Sequence, residues 1–332
     1  MSRRPRVIVP DIPSHVLRQG KNRLSCFGAE KDSPLMTTLL AVSACLLWST
    51  AFVGVKVGLR YSGPFSFAGL RFMLAGLLLI PFWWNRRPGI AEIRAHWRVI
   101  VLVGFFQTFF MYGLFYLAMT MVSGAIAAIL IGISPLTAAV VAHYSMTDDS
   151  MSLPKSVSLL LGMAGVVILS VSRLPWASPT GFSEFVGIML LFLCTISSAL
   201  GNVLVAREQS DMNPVFLNSL QIFLGGFFLF LVSLPMEGVP GILLPVEYYL
   251  SLVWLSCVSA AAFTLWFVLL QRPGVKVSQL NLWKFIIPVF GAVFSWLLLP
   301  DESPQLSSIV GMVAIAVSII LFNLADLRRK SL

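Results

Sequence analysis

From residue 36 to residue 325 the chain is a succession of mostly apolar runs, each of about 17 to 25 residues, separated by short polar loops. Runs of that length cross the hydrocarbon core of a bilayer as helices, because a helix satisfies its own backbone N–H and C=O groups where no water is present. Ten can be read: 36–59, 65–84, 97–119, 122–145, 156–172, 183–206, 214–235, 247–271, 277–299 and 306–325. Charged residues make up 11% of the 332 and hydrophobic ones 58%, against about 25% charged in a soluble domain. Lipid is therefore the main solvent. The expected fold class is an all-α integral membrane protein with ten transmembrane helices, and the loops leave no room for a soluble domain.

The distribution of cations gives the orientation. Seven of the 23 Lys and Arg residues lie in the first 31 positions, and residues 1–34 hold no apolar stretch long enough for a signal-peptide core. They read as a disordered cytoplasmic tail. With the N-terminus inside, 18 cations fall on the cytoplasmic side, Lys155, Arg207, Arg272 and Lys276 in its later loops among them, and only Arg60 and Arg173 fall outside. The positive-inside rule thus predicts a multi-pass protein of the inner (plasma) membrane with both termini cytoplasmic. The same distribution accounts for the net charge of +9, so nucleic acid is not an expected partner. The lipid bilayer and a small-molecule metabolite are; a homodimer is left open. Cys26, Cys45, Cys194 and Cys257 are scattered with no CxxC pair or nearby histidine, so neither a disulfide framework nor a metal site is suggested, and no cofactor is implied.

A weak internal repeat runs through the chain. A shift of 150 residues lays GPFSFAGLRFMLAG (63–76) over NPVFLNSLQIFLGG (213–226), matching Pro64 to Pro214, Leu70 to Leu220, Leu74 to Leu224 and Gly76 to Gly226. A shift of 153 lays SPLTAAVVA (134–142) over IPVFGAVFS (287–295), matching Pro135 to Pro288. Two five-helix units, 35–173 and 180–326, follow from these offsets. An odd number of spans per unit inserts the second upside down, and inverted repeats place a transporter's substrate site near the midplane where the halves meet.

The stretches ACLLWSTAFVGVKVGLRYSGPFSFAGLRFMLAGLLLIP (44–81) and WKFIIPVFGAVFSWLLLPDE (283–302) resemble the EamA-domain branch of the drug/metabolite transporter superfamily, over about residues 37–325. The resemblance implies a ten-helix inner-membrane carrier, usually an exporter of amino acids or other small metabolites, with its site among spans one, three, four, six, eight and nine. Family members usually carry a Gly-Glu pair after the fourth span of each half. Here those places hold Asp148-Asp149 and Pro300-Asp301-Glu302, which weakens any role assigned to the loop.

All 14 acidic residues fall in loops, in the tail or at span ends. A carrier coupled to protons or sodium through a mid-membrane carboxylate needs one there, so export down a gradient, or exchange, is the simpler expectation. His143, at the cytoplasmic end of span four, reads as interfacial. No HExxH, paired carboxylates or His/Cys cluster occurs in the spans, so the chain is not expected to be an enzyme.

Three cations do lie within spans: Lys56, Arg71 and Lys284. Asn281, Lys284, Pro288, Gly291 and Ser295 share one face of span nine, a polar or small stripe amid aromatic and branched neighbours. A mid-span Lys costs about 2.5 to 3.5 kcal/mol on insertion, so it implies a cavity contact, with snorkelling to the headgroups and helix packing as the alternatives. Ile131 holds the matching place in the first half, so the charge breaks the repeat's symmetry. Arg71 is matched by Gln221; substrate contact and interhelical bonding are both open to it. Lys56 reads as an interfacial anchor. Trp48, Ser49, Gln107, Asn202 and Trp266 complete the candidate substrate pathway, with Arg71, Asn281 and Lys284. Cations without anions favour an anionic or carboxylate-bearing metabolite, amino acids included. Pro135 and Pro288 are the candidate hinges for alternating access, because proline removes a helix hydrogen bond. The competing reading is a non-transporting scaffold or a subunit of a membrane enzyme complex.

Overall fold

The structure, a computed structural model, describes residues 34–86, 89–119, 121, 131–132, 134–147, 149, 151–171, 182–207, 212–239, 241, 243–290, 293 and 306–330. The tail, Arg87, residues 122–130, Asp148, Arg173, Gly291, Ser295, Pro300-Asp301-Glu302 and the side chain of Lys56 lie outside the described residues.

The described chain is almost entirely helical. We number the helices α1 (Pro34–Gly58), α2 (Pro64–Leu78), α3 (Ile90–Val103, Gly104–Phe110 and Met111–Met119 in succession), α4 (Ser134–Ser145), α5 (Leu153–Val171), α6 (Phe182–Arg207), α7 (Pro214–Glu237), α8 (Val246–Leu270), α9 (Val277–Leu282) and α10 (Leu306–Lys330). Their ends follow local chemistry. α2 and α7 both open on a proline, which gives up an N–H that the first turn leaves unpaired in any case. Asn213 caps α7 by accepting the Val215 N–H at 2.8 Å. α7 stops at Gly238, whose φ of 79° is left-handed and blocks continuation. Among the described residues five segments are long and apolar enough to cross a membrane: Pro64–Trp83, Ile93–Ala118, Phe185–Arg207, Pro214–Glu237 and Val246–Leu270. Leu35–Ala51, Leu153–Ile168 and Ile309–Phe322 are shorter apolar helices.

In lipid, helices gain little from hiding apolar side chains from each other, so close packing has to hold the bundle together. The broadest seams are α2 with α7 and α5 with α10, and glycines set both. A Cβ on Gly69 would lie 2.7 Å from the Phe230 backbone nitrogen, and one on Gly226 2.7 Å from that of Met73. Gly76 abuts Ser219 and Phe223 on the same seam, and Ser219 Oγ donates to the Gly76 carbonyl at 2.8 Å. Rising numbers in α2 thus meet falling numbers in α7, so the pair is antiparallel. α5 and α10 repeat the pattern: Ser318 Oγ donates to the Ser158 carbonyl at 2.5 Å, and a Cβ on Gly165 would lie 2.8 Å from the Gly311 carbonyl. α1 packs on α8, where Leu255 meets Gly54 and Phe263 meets Trp48. α3 packs on α6. Away from the seams, Leu77, Phe82, Phe228 and Leu231 are exposed, as lipid-facing side chains should be.

Two carboxylates cap helices far away in sequence. Glu237, at the end of α7, accepts the Phe65 and Ser66 N–H groups at 2.8 and 2.9 Å, neutralising the start of α2. A Cβ on Gly63 would lie 2.2 Å from the Glu237 carboxylate, so a larger residue there would have to displace this cap. Asp149, in the turn after α4, accepts the Ser278 N–H at 2.7 Å and the Ser278 hydroxyl, and so caps α9. Lys155 approaches Asp149 at 3.7 Å, and both are at least 98% buried. Lys155 thus differs from the sequence expectation of a loop cation. It lies inside α5, held by the carboxylate and by the Phe322 ring 5.4 Å away.

Two outcomes test this packing. Gly226→Val should lower stability by about 1 to 3 kcal/mol, since the clash is with backbone, while Gly89→Ala, with nothing within 4 Å, should leave the melting temperature in detergent unchanged. Asp149→Ala should cost about 3 to 5 kcal/mol, because it removes the carboxylate that balances a buried ammonium, and Asp149→Ala with Lys155→Met should recover part of the loss.

Candidate functional site

The site starts from Pro288. A proline lacks the N–H that would bond the carbonyl four residues back, and its ring crowds that carbonyl, which here belongs to Lys284. Regular α-helix accordingly ends at Leu282, Trp283–Phe285 tighten into a 3-10 turn, and helix resumes over 286–290. This break carries Lys284. Its Nζ lies 5.0 Å from the Trp266 ring and 5.9 Å from the Trp48 ring, and the two indoles lie 5.2 Å apart at 60°. Each indole face offers a desolvated ammonium about 0.5 to 2 kcal/mol. Lys284 is half-buried, although Asn281, Leu282 and Phe285 beside it are buried. Among the described residues no carboxylate pairs with it. Ser49 ties α1 to this segment through its hydroxyl, which is directed at the Cys45 carbonyl (2.8 Å) and the Ile287 carbonyl (3.3 Å).

Behind Trp266 lies a chain of side-chain amides whose orientation is fixed from both ends. Asn281 Nδ2 donates to the Val277 carbonyl, which can only accept. Its Oδ1 therefore faces Asn202 Nδ2, at 2.9 Å. Asn202 Oδ1 then accepts from Trp266 Nε1, which can only donate, at 3.2 Å, and from Gln107 Nε2 at 3.3 Å. The chain ends at Gln107 Oε1, a buried acceptor without a hydrogen-bond partner among the described residues. Gln107 sits in the one described π-helical segment, Gly104–Phe110, which departs from α-geometry where α3 crosses α6 and α7. Gly201 admits this side chain, because a Cβ there would lie 2.3 Å from Gln107 Oε1. Thr108, from the same segment, donates to Gln221 Oε1 at 2.8 Å, and Gln221 and Asn218 extend the polar contacts to Thr264.

Seven of the eight sequence-predicted pathway residues thus form one connected cluster: Trp48, Ser49, Gln107, Asn202, Trp266, Asn281 and Lys284. Arg71 stands apart. It is 4% exposed, and donates from Nη1 to Tyr116 Oη and from Nη2 to Ser259 Oγ, both at 3.2 Å. Its guanidinium also lies 4.4 Å from the Phe72 ring and 5.5 Å from that of Tyr112. Tyr112 meets Phe263, and Phe263 meets Trp48, so an aromatic wall joins the two cations. Sequence reading overlooked Tyr112, Tyr116, Ser259 and Phe263. The spacing of Ser259, Phe263 and Trp266 on one face of α8 was the available signal.

The remaining predicted residues are placed as follows. Pro135 is buried at the second residue of α4, whose neighbours are α6 and α9. His143 is exposed in the last turn of α4, and its Nδ1 accepts the Met151 N–H at 3.2 Å. Among the described residues no group of three His, Cys, Asp or Glu could hold a metal ion.

Comparison with known proteins agrees with this architecture. The model of the EamA-like transporter family matches twice, over residues 35–171 and 185–324. The uncharacterized transporter YvbV of Bacillus subtilis is 26% identical over 297 residues, covering 89% of this chain and 94% of that protein. A WAT1-related chloroplastic protein of Arabidopsis thaliana is 26% identical over 314 residues, 92% of this chain and 74% of its own length. The S-adenosylmethionine/S-adenosylhomocysteine transporter of Chlamydia trachomatis is 23% identical over 284 residues, 81% of this chain and 84% of that protein. One crystal structure superposes with a TM-score of 0.74 at 19% identity, over 88% of this chain and 99% of its own, and shares the fold. Two family matches that together span nearly all of the helical chain make it a member of the EamA-like transporter family.

Proposed function

We propose that the chain is an alternating-access exporter of small carboxylate-bearing metabolites, amino acids and their relatives among them, in the inner membrane. The observation that carries this reading is Lys284: a cation between two indole faces, half-buried, with no carboxylate against it among the described residues. Lysine at membrane depth is retained where it meets a partner, and an anionic solute supplies one. The indoles of Trp48 and Trp266 give the same solute an apolar surface, and the amides of Gln107, Asn202 and Asn281 hold those walls in register. An organic cation would face Lys284 across a few ångströms, which like charge opposes. The Chlamydia relative is named for S-adenosylmethionine and S-adenosylhomocysteine; both carry an amino-acid carboxylate, and the sulfonium cation of the first would have to lie away from Lys284.

The same proposal takes the fold as ten spans in two inverted five-helix repeats. Its support is the double family match, the antiparallel seams of α2 with α7 and of α5 with α10, and the reciprocal packing of α1 on α8 and α3 on α6. Each of these contacts maps onto another, or onto itself, when the halves are exchanged. With both termini cytoplasmic, Glu237 closes the outer side against α2, while Asp149 closes the inner side against α9. Opening to either side then means releasing one cap, with Pro135 and Pro288 as the bending points. Substrate meets Lys284 while the inner side is open.

Metabolite profiling of medium from cells with and without the protein should identify an exported solute, and its flux into proteoliposomes should saturate. Lys284→Gln and Lys284→Ala should weaken solute binding about ten- to a hundredfold, the value of a charge-assisted hydrogen bond, at unchanged protein level. Lys284→Arg should restore part of it. A scaffold would move no solute in any variant. A reporter fused at the C-terminus should be active in the cytoplasm, and a periplasmic signal would overturn the orientation.

A further inference from the structure

Arg71 is a buried cation to which no carboxylate is paired among the described residues, and its surroundings differ from those of Lys284. Tyr116 Oη and Ser259 Oγ both accept from the guanidinium, so their own hydrogens point elsewhere as donors. Arg71 Nε–H is buried without an acceptor among the described residues. The neighbouring Ser256 hydroxyl lies 3.0 Å from the Arg71 carbonyl and 2.7 Å from that of Leu252, so its proton is directed at backbone. The remaining walls are the rings of Phe72 and Tyr112. Three donors, the two hydroxyls and Arg71 Nε–H, thus remain around a buried positive charge, and among the described residues no carboxylate is paired with it. Such a surplus of donors is the complement of an oxyanion.

Ser259, Phe263 and Trp266 lie on one face of α8 at i, i+4 and i+7. Ser259 bonds Arg71, Phe263 packs on Tyr112 and Trp48, and Trp266 faces Lys284. Seven residues at 1.5 Å each separate the two ends of this ladder by about 10 Å along the helix.

We infer that Arg71, Tyr116 and Ser259 form a second oxyanion subsite, which takes the carboxylate, sulfonate or phosphate of a solute one step along the aromatic wall from Lys284. In the proposed orientation Arg71 lies about two turns from the outer end of α2, so an exported anion reaches it after Lys284. The enclosure of Arg71 among α2, α3 and α8 reserves the subsite for a solute rather than a lipid headgroup. The inference rests on the carrier reading but is independent of the assignment at Lys284.

The test is thiol labelling in membrane vesicles, with Cys26, Cys45, Cys194 and Cys257 replaced and one cysteine restored as Ser259→Cys. Two methanethiosulfonate reagents of similar size are compared, one ending in a sulfonate and one in trimethylammonium. The sulfonate should react faster by about tenfold or more, because the guanidinium attracts one reagent and repels the other. The preference should vanish in Arg71→Gln and persist in Arg71→Lys and in Lys284→Gln. At Ser49→Cys the dependence should reverse, with the preference lost in Lys284→Gln and kept in Arg71→Gln. Equal rates for both reagents at Ser259→Cys would overturn the subsite. So would a thiol that neither reagent reaches until the protein is unfolded, which would make the cluster a sealed structural bond. Loss of preference at Ser49→Cys alone would sink the Lys284 reading and leave this one standing.

Discussion

Inside a bilayer a polar group has no water to fall back on, and the interior of this protein is arranged around that constraint. The amide chain from Val277 through Asn281 and Asn202 to Gln107 works because one end can only accept and the Trp266 indole can only donate. Each intermediate amide then has a single orientation. The chain fixes Trp266, Trp266 fixes one wall of the Lys284 contact, and the Pro288 break aims Lys284 between the walls. Position at the site is thus set by hydrogen-bond direction rather than by apolar packing, which in lipid discriminates weakly.

The same constraint explains the seams. Helices that gain little from hiding apolar side chains must meet at backbone distance, and Gly69, Gly76 and Gly226 allow it between α2 and α7. Helix ends are the other liability, because their free N–H groups need acceptors. Glu237 and Asp149 supply these across the molecule, so the acidic residues absent from the spans act at their ends. Negative charge is thus kept at the ends of the described helices, where it ties the two ends of the bundle.

Much of the candidate cluster was legible in the sequence because its signals are local. Lys284 four residues before Pro288 states both the charge and the break that positions it. The spacing of Asn281 and Lys284 puts them on neighbouring turns, and isolated polar residues such as Gln107 and Asn202 are conspicuous among leucines and phenylalanines. Arg71 was equally visible, yet nothing local says that it joins Tyr116 and Ser259, 45 and 188 residues away, rather than the Lys284 cluster. Glu237 and Asp149 read as loop acids for the same reason: a carboxylate at a span end looks solvated until a distant helix start is docked onto it. Lys155 looked like one more inner-loop cation, and its burial depends on the antiparallel fit of α5 and α10.

The sequence by itself determined the solvent, the apolar helical character of the chain, the expected side of each loop and the inventory of polar groups in the apolar runs, since hydropathy, proline and charge act on a segment whatever surrounds it. Only the tertiary structure decided which of those groups touch. Pairing in lipid is chosen by where glycines let backbones meet and by which donor finds which acceptor. Both are properties of two helices at once, and no single segment contains them.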